Sequence, residues 1–232
     1  MSARDAILAR LRAAAPRAVA TDARALDEAI DRHYDARRAA PAADSLTAAQ
    51  TMLGALTALH ADAWCADAAT WPAQLAQRLA AAGVRRLLLD PARPEAAALI
   101  GALPPAIEAV DFAQPIEAWK RDLFDTFDAG FTVARAGIAA TGTLVIAPDG
   151  GTPRTVSLVP PLHVAVVHAH TLHADLHELV RAEQWQTGMP SNLALVSGPS
   201  KTSDIQQTTA YGAHGPRRLW VVIITDTQGT TS

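Results

Sequence analysis

Three glycine-bearing stretches carry the residue types that could do chemistry. The first is Gly137-Ile138-Ala139-Ala140-Thr141-Gly142-Thr143, which runs into the apolar Leu144-Val145-Ile146. The second, Ser197-Gly198-Pro199-Ser200-Lys201-Thr202-Ser203-Asp204, follows Leu195-Val196. The third, Gly212-Ala213-His214-Gly215-Pro216-Arg217, precedes the apolar run from Leu219. Glycine removes a side-chain obstacle, hydroxyls supply hydrogen bonds, and Lys201 adds a positive charge. Together they suit an anion cradle for a carboxylate or phosphate. The same residues are also ordinary turn formers, and Ser203 or Asp204 could cap a helical turn. If the stretches share a cleft, Thr141, Gly142, Thr143, Ser197, Gly198, Pro199, Ser200, Lys201, Thr202, Ser203, His214, Gly215 and Arg217 are its candidate ligand-binding residues. Acid–base chemistry would need Asp204 with His163 or His214, the one plausible supply.

Five histidines crowd a short region: His163, His168, His170, His173 and His177. His173 and His177 stand at i,i+4 in a segment read as helix over 172–183, a spacing that can hold a metal. The apolar face of that helix is Leu172, Leu176, Leu179 and Val180, which leaves both histidines on its flank as solvated groups. No metal site is expected. His177-Glu178 does not continue to a zincin motif, because Arg181 stands where the second histidine belongs. P-loop, dinucleotide and nucleophile-elbow motifs are absent.

The elements that position these stretches follow from periodicity. Ile7, Leu8 and Leu11 share a helix face, and a second helix is expected over 22–38, with Glu28 and Arg32 as an i,i+4 pair. This N-terminal helical arm, residues 1–45, is expected to be dispensable for folding of the rest, and Pro41–Asp44 reads as a loop. From Leu46 helices and apolar runs alternate: helix 48–59, apolar run 61–66, helix 72–82 ended by Gly83, strand 84–89, helix 94–103, strand 106–110. Ile116, Trp119, Leu123 and Phe127 then mark an amphipathic helix. Such alternation predicts a mainly parallel sheet covered on both faces. Further on, 131–134, 143–147, 154–159 and 162–167 read as short strands, with Pro148–Gly151 as a hairpin turn. Strands 193–196 and 219–225 close the domain, residues 46–226. The polar tail, 227–232, reads as disordered. The fold class is α/β, a three-layer α/β/α sandwich with a mixed, mainly parallel sheet.

Composition narrows the function. The chain has 232 residues, 50% hydrophobic, with a net charge of −3. Its basic residues form pairs and no stripe, so nucleic-acid binding is not expected. The single cysteine, Cys65, read as a buried apolar residue, excludes an internal disulfide and any cluster ligated by four cysteines of this chain. No apolar run nears the roughly 20 residues that span a bilayer. The charged N-terminal stretch lacks a secretory pattern, and the expected location is the cytoplasm.

In order and spacing, the three stretches together with Ser157-Leu158-Val159-Pro160-Pro161-Leu162-His163 resemble the LUD-domain proteins, most closely the lactate-utilisation C subgroup. The resemblance covers roughly residues 130–225. It implies a fold like that of the sugar-phosphate isomerase and CoA-transferase group. It also implies an accessory or substrate-handling role in oxidising L-lactate to pyruvate, with iron–sulfur clusters carried by partner subunits and no cofactor bound by this chain. Whether the chain is itself an enzyme stays open. The alternatives are a stand-alone enzyme on a sugar-phosphate, acyl or folate-like substrate, and a non-catalytic regulatory or scaffold protein. One departure matters: the family usually has Glu where this chain has Ala140, so a covalent step through that position is impossible.

Overall fold

The computed structural model describes residues 3–14, 22–37, 44–112, 114–205 and 208–225. The chain divides into two compact units, 1–41 and 42–232. The first unit holds α1 (Ala3–Ala14) and α2 (Ala23–Arg37). In α2 Glu28 accepts from Arg24, at 3.1 Å, and the expected pairing with Arg32 is not the one formed.

The second unit begins with α3 (Ser45–Ala58), whose start is fixed by Asp44 accepting from the Thr47 N–H at 2.8 Å. It continues through β1 (Asp62–Asp67), α4 (Trp71–Ala81), β2 (Arg86–Leu88), α5 (Pro94–Ala102), β3 (Glu108–Val110), α6 (Ile116–Asp125) and β4 (Ala129–Val133). Then come β5 (Ala136–Ile138), β6 (Thr143–Ile146), α7 (Arg154–Leu158), β7 (Leu162–His168), β8 (Leu172–His173) and α8 (Leu176–Ala182). The last elements are β9 (Ala194–Val196), β10 (Lys201–Ile205), β11 (Thr208–Tyr211) and β12 (Arg218–Thr225).

Six strands form a wholly parallel sheet in the order β1-β12-β7-β4-β2-β3. The expected α/β architecture with a mixed, mainly parallel arrangement is therefore present, its antiparallel pairs β5–β6 and β6–β9 lying in a second sheet, β8-β5-β6-β9, and β10–β11 in a two-stranded ribbon. Alternation along β7 shows how the layers stack. Val164 and Val166 face one core with Leu75 and Leu79 of α4 and Leu99 of α5. Ala165 and Val167 face the other, with Met52 and Leu56 of α3 and Leu144 and Ile146 of β6. Both faces of β7 are buried, hence its apolar run Val164–Val167. Each large aliphatic side chain so buried contributes roughly 1.5–3 kcal/mol. Among the described residues no helix is long and apolar enough to cross a membrane.

Several expectations fail for identifiable reasons. The segment 154–159, rich in β-branched residues, is helix α7 and not a strand. Its Val156 is fully buried with Leu88, Leu123 and Phe127, and this packing overrides local propensity. Pro148–Gly151 is accordingly no hairpin. Asp149 Oδ1 instead accepts from the N–H groups of Gly151 and Thr152, turning the chain toward α7, while β6 pairs with β5 and β9. The helix expected over 172–183 begins only at Leu176, because Asp175 caps it by accepting from the Glu178 N–H at 2.8 Å. Cys65, expected to be buried, is exposed on β1, an edge strand that pairs only with β12. Residues 41–43 of the expected loop and the tail from residue 226 lie outside the described residues.

Candidate functional site

The site is built around His163, the second residue of β7. It is 1% exposed, and its Nε2 lies 2.8 Å from the Oγ1 of Thr132 on β4. Burial without a charged partner lowers its pKa to about 4, so the ring is neutral at physiological pH. A cavity of about 210 Å³ opens beside it, lined also by Ser157 of α7, Ser197, Gly198, Ser200, His214 and Gly215.

Two of the three glycine-bearing stretches meet at this cavity. The Ser200 N–H donates to the Pro216 carbonyl at 2.9 Å, and the Gly212 N–H donates to the Ser200 carbonyl at 2.9 Å. The first stretch adjoins from the side. Thr141 and Thr143 hydroxyls are 2.7 Å apart, and Thr143 reaches the Ser197 hydroxyl at 2.8 Å. Thr141 and Thr143 line a neighbouring cavity of about 320 Å³, which shares Leu195 and Ser197 with the first. Gly142 sits between them, closing a short 3₁₀ turn.

Other candidates are placed elsewhere. Lys201 is exposed at the start of the β10–β11 ribbon and is not part of the cavity lining. Thr202 follows it on the same strand, paired with Ala210. Arg217 lines a separate hollow with Phe124, Val159 and Pro161. Pro199 is half-buried between Gly198 and Ser200. The side chains of Ser203 and Asp204 lie outside the described residues, as does any acid–base pair through Asp204. His214 is exposed at the cavity rim, while His163 is enclosed.

In the sheet, His163 opens β7 and the 212–217 stretch leads into β12. Only β9 offers its carboxyl end; the cavity lies at the amino ends of the parallel strands. Thr132 and Ser157 were not anticipated. Thr132 sits within an apolar strand, and Ser157 was hidden in a segment read as β. His173 lies on β8 and His177 in α8, so they do not share a helix face. Ala140 is exposed and donates its N–H to the Ala174 carbonyl at 3.1 Å; it lines two cavities, whose carboxylates come from Asp175 in one and Glu178 in the other.

A family model for the LUD domain matches residues 49–224. The chain belongs to the LUD-domain family. An uncharacterized protein of Neisseria meningitidis serogroup B is 34% identical over 226 residues, covering 97% of this chain and 94% of that one. The lactate utilization protein C of Shouchella clausii is 31% identical over 102 residues, covering 43% of this chain and 44% of that one. That of an Exiguobacterium strain is 32% identical over 120 residues, 50% and 51% of the two chains. The match thus spans about half the length of these lactate utilization relatives. Among solved structures, a DUF162 family protein from Deinococcus radiodurans aligns with a TM-score of 0.59 at 22% identity, covering 78% of this chain and 99% of that one. This likeness shows that the two chains share a fold.

The geometry separates two substitutions in the second stretch. A Cβ at Gly198 would lie 2.9 Å from the Leu59 carbonyl oxygen, a backbone atom that cannot turn aside. Gly198→Val is expected to destabilise by roughly 1–3 kcal/mol and to narrow the cavity. Lys201→Ala is expected to change stability by less than about 0.5 kcal/mol and to leave ligand binding in the cavity intact. Urea melts and ligand titration of both variants check this; a large binding loss in Lys201→Ala would place the lysine in the site.

Proposed function

We propose that this LUD-domain chain is a substrate-handling subunit in lactate utilisation, binding L-lactate or pyruvate in the cavity at His163. The observation that carries this reading is the buried, neutral imidazole held by Thr132 and ringed by serine hydroxyls. A short hydroxy acid needs one acceptor or donor for its α-hydroxyl and several donors for its carboxylate. Thr132 takes up Nε2 of His163, which leaves Nδ1 as the ring nitrogen that a ligand would meet. Ser157, Ser197 and Ser200 supply hydroxyls, and about 210 Å³ suits a molecule of a few heavy atoms. The names of the lactate utilization protein C relatives point to the same substrate class.

The chemistry assigned to His163 is orientation. A base with a pKa near 4 is a poor proton acceptor at neutral pH, far from the match that general base catalysis favours. The two electrons taken from lactate pass, in this reading, to iron–sulfur partner proteins, since one cysteine cannot ligate a cluster alone. Reconstitution tests it. The isolated chain is expected to give no lactate-dependent dye reduction, and iron–sulfur partner proteins from the same organism are expected to restore it. Ser200→Trp, which fills the cavity, is expected to reduce the restored rate more than tenfold. Turnover by the isolated chain would contradict the proposal.

A further inference from the structure

The six-stranded sheet has a topological switch point away from the His163 cavity. From β2 the chain crosses to β3, toward one edge of the sheet; from β4 the next strand of this sheet is β7, toward the other edge. Neighbouring strands whose connections leave in opposite directions open a crevice beyond their carboxyl ends, and ligands of open α/β sheets bind there. A cavity of about 350 Å³ occupies this place. Its floor is Val133 and Ala134 at the end of β4, and its polar lining is Arg93, Arg135 and Asp149. A contact of 2.7 Å between Glu95 Oε1 and His168 Nε2 ties the first turn of α5 to the end of β7.

Two guanidinium groups line one small cavity, and each is met by a carboxylate of the chain. Arg93 pairs with Asp149 and lies 3.6 Å from Asp90; Arg135 donates to Glu183 at 2.8 Å. Asp149 is held in place because its Oδ1 accepts from Gly151 and Thr152, so its Oδ2 stands where a ligand oxygen would bind Arg93. The side chains of Arg93 and Asp149 are 44% and 43% exposed; that of Arg135 is 51% exposed, while that of its partner Glu183 is 18% exposed. An ion pair as open to water as Arg93–Asp149 contributes little and exchanges readily for a better oxyanion. Guanidinium forks match phosphate and carboxylate geometry, and two of them balance two negative charges.

We infer that the crevice between the carboxyl ends of β2 and β4 is a second ligand site, which takes a dianionic group of a small molecule through Arg93 and Arg135. The group is a phosphate monoester or a dicarboxylate, and it displaces the carboxylates of Asp149 and Glu183 from the two guanidiniums. The site is separate from the His163 cavity and does not depend on what that cavity binds.

Calorimetric titration of the full chain with inorganic phosphate and, separately, with succinate tests the inference. At least one anion is expected to bind, at least tenfold more weakly in Arg93→Gln and in Arg135→Gln. Asp149→Asn, which removes the competing charge, is expected to bind several-fold more tightly; a purely structural role for Asp149 gives the opposite sign. Ser197→Ala, in the other cavity, is expected to bind as wild type does. Thermal melts confirm folding, and Arg93→Lys, which keeps the charge but loses the fork, serves if Arg93→Gln does not fold; it too is expected to bind several-fold more weakly. Binding of phosphate alone identifies a phosphorylated ligand, and binding of succinate alone a dicarboxylate. Failure of both anions to bind wild type, or wild-type affinity in both Gln variants, overturns the inference.

Discussion

Gly130→Ala is expected to cost about 3 kcal/mol or more, a large effect for one methyl group. Gly130 lies in β4 opposite His163 in the register with β7. A Cβ there would sit 2.0 Å from the Val156 carbonyl oxygen and 3.2 Å from Pro160 Cγ. The nearest atom is backbone, so no rotamer change relieves the clash and α7 must move off the sheet. That helix buries Val156 against Leu88 and Leu123 and carries Ser157 to the cavity. A unit of this size loses roughly 2–4 °C of Tm per kcal/mol, so a drop on the order of 6–12 °C is expected, with ligand binding lost in parallel. A urea midpoint equivalent to within about 0.5 kcal/mol of wild type would mean that α7 does not pack on β4 as described.

The second large effect is on acid stability. The folded chain holds His163 at a pKa of about 4, against an ordinary value of 6.5 in an exposed chain. Between those values the unfolded state binds the proton and the folded state does not, so protonation favours unfolding. Stability from this group is therefore fully present above about pH 6.5 and is lost as pH falls toward 4. The total change is on the order of 3 kcal/mol by the standard conversion of pKa shift to free energy. Carboxylates held low by hydrogen bonds, such as Asp67 and Asp149, act below this window. His163→Gln is expected to flatten the slope between pH 6.5 and 4.5, as read from urea midpoints across that range. An unchanged slope in the variant would mean that His163 is not the buried group that titrates.

Much of the fold is legible in the residues because local and tertiary signals agree. The stripe of α4 around Leu75 and Leu79 and the run Val164–Val167 of β7 each carry one period and one burial pattern. Segment 154–159 shows where that agreement ends. Thr155, Val156 and Val159 favour a strand locally, yet the missing side chain at Gly130, far away in sequence, admits a helix there. The candidate site divides along the same line. Ser197–Ser200 and His214–Gly215 announce themselves as glycine-bearing loops and do share a cavity. Thr132 and Ser157 carry no such mark, since their roles arise only when β4 and α7 come beside β7. Lys201, attractive by charge, is carried away by the β10–β11 ribbon, a pairing that the turn-like composition of the segment conceals.

The central claim, that the His163 cavity binds a short hydroxy acid, is tested most directly by nitrogen NMR of the histidine rings during titration with L-lactate at pH 7. The account predicts that the His163 ring nitrogens shift saturably, with Nδ1 moving most, and that Ser197→Ala weakens the response. Lactate binding that leaves the His163 resonances unmoved, or no binding at all, would contradict it.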